Sequence, residues 1–305
     1  MKTIACFDVG GTFIKYGVVN EEGDILFKSK FPSPKENCKV NIPKLISEKT
    51  KELQKEYDIC CIGICTAGQV DSEKGEIVFA TENLPGYTGA KIYEDLKRLT
   101  GLESYVENDV NAVGLGEMWK GAGKGKDTFV CMALGTGIGG AIIIDGKLYK
   151  GVYGGAGEVG HAITNEGGEP CNCGSKGCYE RYASTSALIR QYAKRANIHE
   201  DSINGEELMN RVRNGEKLAV EVYNEFLKHV VAGLVTITHI LDPGLIAIGG
   251  GISAQGKPFF DEINELFKKE AMPSYAERTK IVPAELKNDA GLIGACYAAI
   301  QNCCK

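Results

Sequence analysis

Apolar positions alternate or run together over 3–8, 13–20 and 24–31, with short Gly-containing turns between them, the second at Glu22-Gly23, and this pattern predicts a three-stranded β-meander. The period then changes. Ile42, Leu45, Ile46 and Leu53 recur at helical spacing over 41–57 with Lys and Glu elsewhere, predicting an amphipathic helix, and the apolar run at 58–65 predicts another strand. A helix at 90–99, a strand at 103–107 and a helix from Asp109 towards Trp119 continue an α/β domain, and the Gly-rich segment 121–127 reads as a hinge. Beyond it the opening pattern returns: a strand over 128–134, a GTGIGG turn at 135–140 and a strand at 141–146. Either this is a duplication, or two Gly-rich hairpins are alike by chance. A helical region over 182–241, the strand 245–249 ending in Gly249-Gly250-Gly251, and a helix from about 289 close the pattern. The expected fold is α/β, with two related domains facing each other across a cleft: 1–116 plus 290–305, and 117–289.

Composition narrows the class. With 35 Lys and Arg against 40 Asp and Glu, the net charge of −5 argues against a broad surface for nucleic acid or anionic membrane and favours a small-molecule substrate. The 12 cysteines are about 4% of the chain, below the roughly 8% of a secreted disulfide scaffold. Cys6, Cys60, Cys61, Cys65 and Cys131 stand in apolar strand-like runs as small hydrophobes, whereas Cys171, Cys173 and Cys178 cluster in a Gly-rich loop. That division, with no signal-peptide pattern at the N-terminus and no apolar run near ~20 residues, gives a cytoplasmic protein without membrane attachment as the expectation.

Gly135, Gly137 and Gly140 match G-x-G-x-x-G, but the dinucleotide fingerprint requires a helix after the last glycine and here a strand follows. What remains is a pair of Gly/Thr hairpin turns, Gly10-Gly11-Thr12 and Gly135-Thr136-Gly137, whose N–H groups and hydroxyls can surround the polyphosphate of ATP. Asp8 ends the first strand beside the first turn, with Lys15 not far along. It is either a solvated strand-end acid or a carboxylate that holds Mg²⁺ or its waters near the phosphates. Gly249, Gly250 and Gly251 leave backbone open to a base or ribose, or make a tight turn only.

Cys171, Cys173 and Cys178, with His161 ten residues before the first thiol, are either a closed tetrahedral set suited to a structural Zn²⁺ or incidental cysteines of a Cys-rich chain, a disulfide being the weaker reading in a cytoplasmic protein. Asn108 and Asp109 stand at a strand-to-helix junction, where Asp can cap the helix or project into a cleft. Glu158 and Glu180 flank the metal ligands. Acids and an Asn beside a nucleotide cradle suit an uncharged polyol such as a sugar, whose hydroxyls need acceptors.

DVGGT at 8–12, END at 107–109, LGTGIGG at 134–140, GEVGH at 157–161, CNCGSKGCYE at 171–180 and IGGGI at 248–252 occur in the order of the ROK family of sugar kinases, which the chain resembles over nearly its whole length. The resemblance implies two actin-like (ribonuclease H-like) domains and ATP-dependent phosphorylation of a hexose hydroxyl, usually O6. By position it makes Asp109 the general base. It assigns sugar hydroxyls to Asn108, Glu158, His161 and Glu180, joined by Gly68 in TAGQVD and Asn83 in ENLPGY. It also matches His161, Cys171, Cys173 and Cys178 to the family's zinc ligands, and family habit suggests a homodimer. Tyr179 departs from the family, which more often has an aliphatic residue there. A DNA-binding repressor of the family is not expected, since only seven residues precede Asp8. A sugar-binding sensor without catalysis is the alternative, and it would lack Asp109 or the phosphate turns. An iron–sulfur ATPase of the same superfamily would show iron without zinc. Glucose and N-acetylmannosamine are the favoured sugars.

Overall fold

The computed structural model describes residues 2–304. Strands β1 (Thr3–Val9), β2 (Phe13–Asn20) and β3 (Ile25–Pro32) form the expected meander and are followed by α1 (Cys38–Leu53), β4 (Ile59–Thr66), a ribbon of β5 (Gln69–Asp71) and β6 (Glu76–Phe79), α2 (Ile92–Thr100), β7 (Glu103–Asn108) and α3 (Asp109–Lys120). Then come β8 (Phe129–Leu134), β9 (Ile138–Ile144), β10 (Lys147–Leu148), α4 (Glu180–Ala183), α5 (Thr185–Ala196), α6 (Gly205–Arg213), α7 (Lys217–Leu241), β11 (Leu245–Gly249), α8 (Lys257–Glu270), α9 (Pro273–Arg278), β12 (Lys280–Pro283) and α10 (Ala290–Cys303). No helix among the described residues is long and apolar enough to cross a membrane.

One five-stranded sheet has the order β3-β2-β1-β4-β7 and the other β10-β9-β8-β11-β12. Numbered within its own sheet, each reads 3-2-1-4-5, so the repeat seen in two hairpins extends to whole sheets. In the first, β1 pairs antiparallel with β2 and parallel with β4, which pairs parallel with β7; in the second, β8, β11 and β12 run parallel. Packing density divides the chain into one compact unit of Met1–Asp127, Ala141–Ala156 and Glu285–Lys305 and another of Thr128–Gly140 and Gly157–Ala284.

Burial explains why β1 reads as an unbroken apolar run. Ala5, Phe7 and Val9 face a core shared with Ile42 and Ile46 of α1 and Leu96 of α2, while Ile4 and Cys6 face Leu292, Cys296 and Ala299 of α10. A strand covered on both faces has no polar side to show. Helices α3 and α10 pack backbone to backbone, because a Cβ at Gly294 would strike the Ala112 carbonyl and one at Gly116 the Ala290 carbonyl. Small residues at the crossing set that distance.

The structure corrects several expectations. The helix drawn at 41–57 starts at Cys38 and stops at Leu53, and the GTGIGG turn is shorter than expected because Ile138, Gly139 and Gly140 already belong to β9. The ribbon β5–β6, helices α8 and α9 and strand β12 went unassigned, being short or flanked by weak punctuation. Cys6, Cys61, Cys65 and Cys131 are buried as small hydrophobes, but Cys60 is exposed.

Glu117 is fully buried in α3, and its carboxylate accepts hydrogen bonds from the backbone N–H groups of Ala122 (2.8 Å), Glu285 (3.0 Å) and Leu286 (2.8 Å). It thereby ties the segment after α3 to the chain entering α10. Glu117→Ala strands these donors, and we expect a loss of stability on the order of 3–5 kcal/mol in urea unfolding. A change below about 1 kcal/mol would show that water replaces the carboxylate.

Candidate active site

Parallel pairing brings three of the motifs into one row. Asp8 of β1 lies in register with Cys65 of β4, and Cys65 with Glu107 of β7; one residue further, Val9, Thr66 and Asn108 form the next row. DVGGT, TAGQVD and END therefore open side by side at the carboxyl ends of these strands, the edge where open α/β sheets bind ligands. Asp8 is also paired across the hairpin with Lys15, whose Nζ is 3.1 Å from Oδ2. The Gly10-Gly11-Thr12 turn is held from just past β3, since Ser33 donates from Oγ to the Gly10 carbonyl (2.5 Å) and from N–H to the Thr12 carbonyl (3.0 Å). Asn83 stands against Gly11, leaving a Cβ there only 3.0 Å from the Asn83 side chain.

Asn108 caps α3: its Oδ1 accepts from the N–H groups of Val110 (2.9 Å) and Asn111 (3.0 Å), and its Nδ2 donates to the Gly68 carbonyl and to Asp109 Oδ1, each at 3.0 Å. Asp109 is the first helical residue, and its Oδ1 also accepts from Val110 N–H at 2.9 Å. The first turn of a helix favours that negative charge. Gly68, Asn108 and Asp109 are thus one hydrogen-bonded group. The buried Cys65 thiol is pushed well up by burial and by the charges of Asp8 and Asp109, so it remains a neutral filler beneath both acids.

Glu107 is the residue that the sequence reading missed. It is 2% exposed, and its carboxylate accepts from Asn108 N–H (3.0 Å), Asn111 Nδ2 (3.1 Å) and Ser72 Oγ (3.1 Å) and pairs with Lys150 Nζ at 2.6 Å. Burial works against the Lys150 charge, but Glu107 and the Tyr105 hydroxyl outweigh it and hold the ammonium above its ordinary value. A charged Glu directly before the Asn108-Asp109 pair was the available signal, yet its partner lies 43 positions away. Glu107→Gln keeps the neutral contacts and leaves Lys150 unpaired; we expect kcat to fall about 10-fold or more, with the loss regained in part by Lys150→Met on that background. Equal activity in the single variant would remove Glu107 from the positioning of Asn108.

In the other unit, Gly135 N–H donates to the Gly137 carbonyl (3.0 Å) and Thr185 N–H to the Gly135 carbonyl (2.8 Å), and Thr136 is exposed at the tip. Gly249 pairs with Ala133 in the parallel ladder, and Gly250, at φ 89°, lies so close to the Leu134 carbonyl that a Cβ has no room. Gly249-Gly250-Gly251 and the 135–137 turn are therefore neighbours at the carboxyl ends of β8 and β11. Ile138 N–H is 3.4 Å from Glu180 Oε2, so Glu180 faces this turn.

His161 ends the short turn Val159–His161, which lies on β9 because Gly160 meets the Ile138 carbonyl without a side chain. Its Nδ1 is 3.6 Å from Cys171 Sγ, and the Cys173 and Cys178 sulfurs are 3.5 Å apart. All four candidate ligand atoms lie within 4.8 Å of one another. Around a tetrahedral Zn²⁺, with bonds of about 2.3 Å to sulfur and 2.0–2.1 Å to nitrogen, ligand atoms stand about 3.5–3.8 Å apart, so this donor set fits the ion. Burial and the neighbouring Cys173 and Cys171 thiols push Cys178 up to about 12, a situation that a bound cation reverses. His161 Nε2 points the other way, 3.9 Å from Glu158 Oε2, and Nδ1 is 3.9 Å from Glu180 Oε1. The loop brings His161, Glu158 and Glu180 to one place. Tyr179 is buried, its ring against Gly233 and its hydroxyl donating to the Val230 carbonyl at 2.8 Å, which is how α7 accepts the larger side chain.

A family model described as ROK family matches residues 4–302. The chain belongs to the ROK family. Glucokinase of Streptomyces coelicolor is 35% identical over 94% of each chain, and a β-glucoside kinase of Listeria innocua is 33% identical over 98% of this chain and 97% of its own. The crystal structure of a ROK glucokinase from Streptomyces griseus in complex with glucose and AMPPNP superimposes with a TM-score of 0.83 at 34% identity, covering 98% of this chain and all of that one. The two α/β sheets of this ROK protein are those of the two-domain, actin-like fold.

Proposed function

We propose that this ATP-dependent sugar kinase transfers the γ-phosphate to O6 of glucose or N-acetylmannosamine, with Asp109 as the general base. The observation that carries the reading is the Gly68–Asn108–Asp109 group, which fixes the Asp109 carboxylate at a helix start on the same strand edge as Asp8 and the Gly10-Gly11-Thr12 turn. Asp109 takes the proton from the attacking hydroxyl, which is within the capacity of a carboxylate held at hydrogen-bond distance. Asn108, Glu158, Glu180, Gly68, Asn83 and the Nε2–H of His161 hold the other hydroxyls. The Gly10–Thr12 and Gly135–Gly137 turns and Lys15 hold the phosphates, and Gly249–Gly251 meet the nucleoside. Asp8 would hold Mg²⁺ brought with ATP, and the chemistry that the ion would supply there is offsetting of charge on the phosphoryl oxygens. His161, Cys171, Cys173 and Cys178 hold Zn²⁺ as a structural ion, with Nδ1 as the ligating nitrogen and Nε2 left as a donor. The functional bodies are 1–116 with 290–305, and 117–289, in a cytoplasmic homodimer.

ADP release with Mg-ATP against a panel of hexoses, N-acetylhexosamines and β-glucosides tests the substrate. Turnover with glucose or N-acetylmannosamine, and product identified as the 6-phosphate, is the expected result. Stimulation by β-glucosides alone would overturn the substrate assignment, and ADP release without dependence on any sugar would overturn the function. Analytical ultracentrifugation reads the oligomeric state.

A further inference from the structure

The second group of cysteines lies at the opposite end of β4 from the residues just described. Cys60 and Cys61 are consecutive in a strand, where side chains normally point to opposite faces. Pairing with β1 runs from Thr3 opposite Ile59 to Ile4 opposite Cys61, so Cys60 is the extra residue of a β-bulge. A bulge re-aims a side chain. Here it turns two adjacent thiols to one side, their sulfurs 3.9 Å apart. Cys304, at the C-terminal end of α10, completes the set: its sulfur is 3.7 Å from that of Cys60 and 3.5 Å from that of Cys61. The three sulfurs form a nearly equilateral triangle. Cys303 is next in the chain, close enough to the Cys61 thiol to raise its pKa, and it lines an open cavity with Glu103 and Tyr93.

We propose that Cys60, Cys61 and Cys304, with Cys303 available as a fourth donor, bind a thiophilic d¹⁰ cation of the Zn²⁺ or Cu⁺ type, separately from the loop at 161–178. Sulfurs around one such ion with bonds of about 2.3 Å stand about 3.8 Å apart, close to all three observed separations. The triangle is the argument against a redox pair. A disulfide would draw two of three equivalent sulfurs together and leave the third, whereas a single ion uses all of them. Binding is a ligand exchange without redox change, in which each coordinating thiol releases its proton to solvent. Cys60 is exposed and gives the ion a path in, and Lys2 Nζ, 3.4 Å from the Cys304 carbonyl, holds the backbone of the residue that supplies the third sulfur. The ion would fasten the end of α10 to the start of β4.

The test compares full-length reduced wild type with the Cys60→Ser/Cys304→Ser double variant, titrated in separate arms with Zn²⁺ and Cu⁺, passed over a chelating resin and assayed for bound metal. We expect the wild type to retain one equivalent more than the double variant in at least one arm, which also names the ion. Cd²⁺ gives a second readout, because its thiolate charge-transfer absorption should be weaker in the double variant by the share of these sulfurs. A Cys173→Ser chain should keep the extra equivalent, which separates this site from the loop. Equal metal content in wild type and double variant, in both arms, overturns the proposal. So does a Cys60–Cys304 disulfide in the aerobic protein combined with no extra metal in the reduced one. Thermal unfolding of the metal-free forms checks that the serines leave the fold intact.

Discussion

Asp109→Asn is expected to lower kcat by about 10²–10⁴-fold while sugar affinity stays within a few-fold of wild type. The substitution is nearly isosteric, and the Asn side-chain oxygen can still accept from Val110 N–H and Asn108 Nδ2 as Asp109 Oδ1 does. The helix start and the Asn108 cap should therefore persist. What disappears is the group able to take a proton from the attacking hydroxyl. An effect confined to kcat points to a role in the transition state, whereas a matching rise in KM would mean that Asp109 mainly binds the ground state. The measurement is steady-state ADP release together with calorimetric sugar binding. Wild-type turnover in the variant would end the assignment of Asp109 as base.

The second large effect is expected at the metal loop. Cys173 is exposed, so Cys173→Ser removes a proposed ligand with almost no loss of packing. Three ligands cannot close the tetrahedron, and the free energy of metal binding is also folding energy for a loop with so little core of its own. We expect one equivalent of zinc to be lost, cleavage within 157–180 in limited proteolysis, and a rise of about 10–100-fold in KM for the sugar. The rise follows from geometry. Glu158 stands three residues before His161 and Glu180 two after Cys178, so a disordered ligand set would also free the chain that carries the three proposed sugar contacts. A zinc-free variant with an unchanged KM would mean that the loop keeps its shape without the ion.

The two predictions also differ in what they leave unchanged. As the proposed base, Asp109 should affect turnover and leave zinc content untouched. Cys173→Ser should leave the Gly68–Asn108–Asp109 hydrogen bonds untouched, since these are made entirely between β7, the start of α3 and the turn after β4.

The sequence by itself determined whatever depends on local period or on short spacing. The meander at 3–31 was legible because alternation and Gly turns are local, the END junction because a strand and a helix meet there, although the cap is Asn108 and not the Asp expected, and the Cys/His cluster because three thiols and one His lie within eighteen residues. The likeness of the two hairpins was legible for the same reason. Tertiary structure decided what depends on partners distant in the chain. Parallel pairing aligned Asp8, Cys65 and Glu107, and no periodicity fixes a parallel register across a helical crossover. Lys150 became the counter-ion of Glu107, and Glu117 a clamp on Glu285 and Leu286, because a buried charge must find partners wherever the fold supplies them. The Cys60–Cys61–Cys304 triangle is the extreme case. A one-residue bulge turned a thiol that reads as strand filler towards a partner 244 positions away, and a bulge follows from how two strands pair, which neither strand's own sequence records.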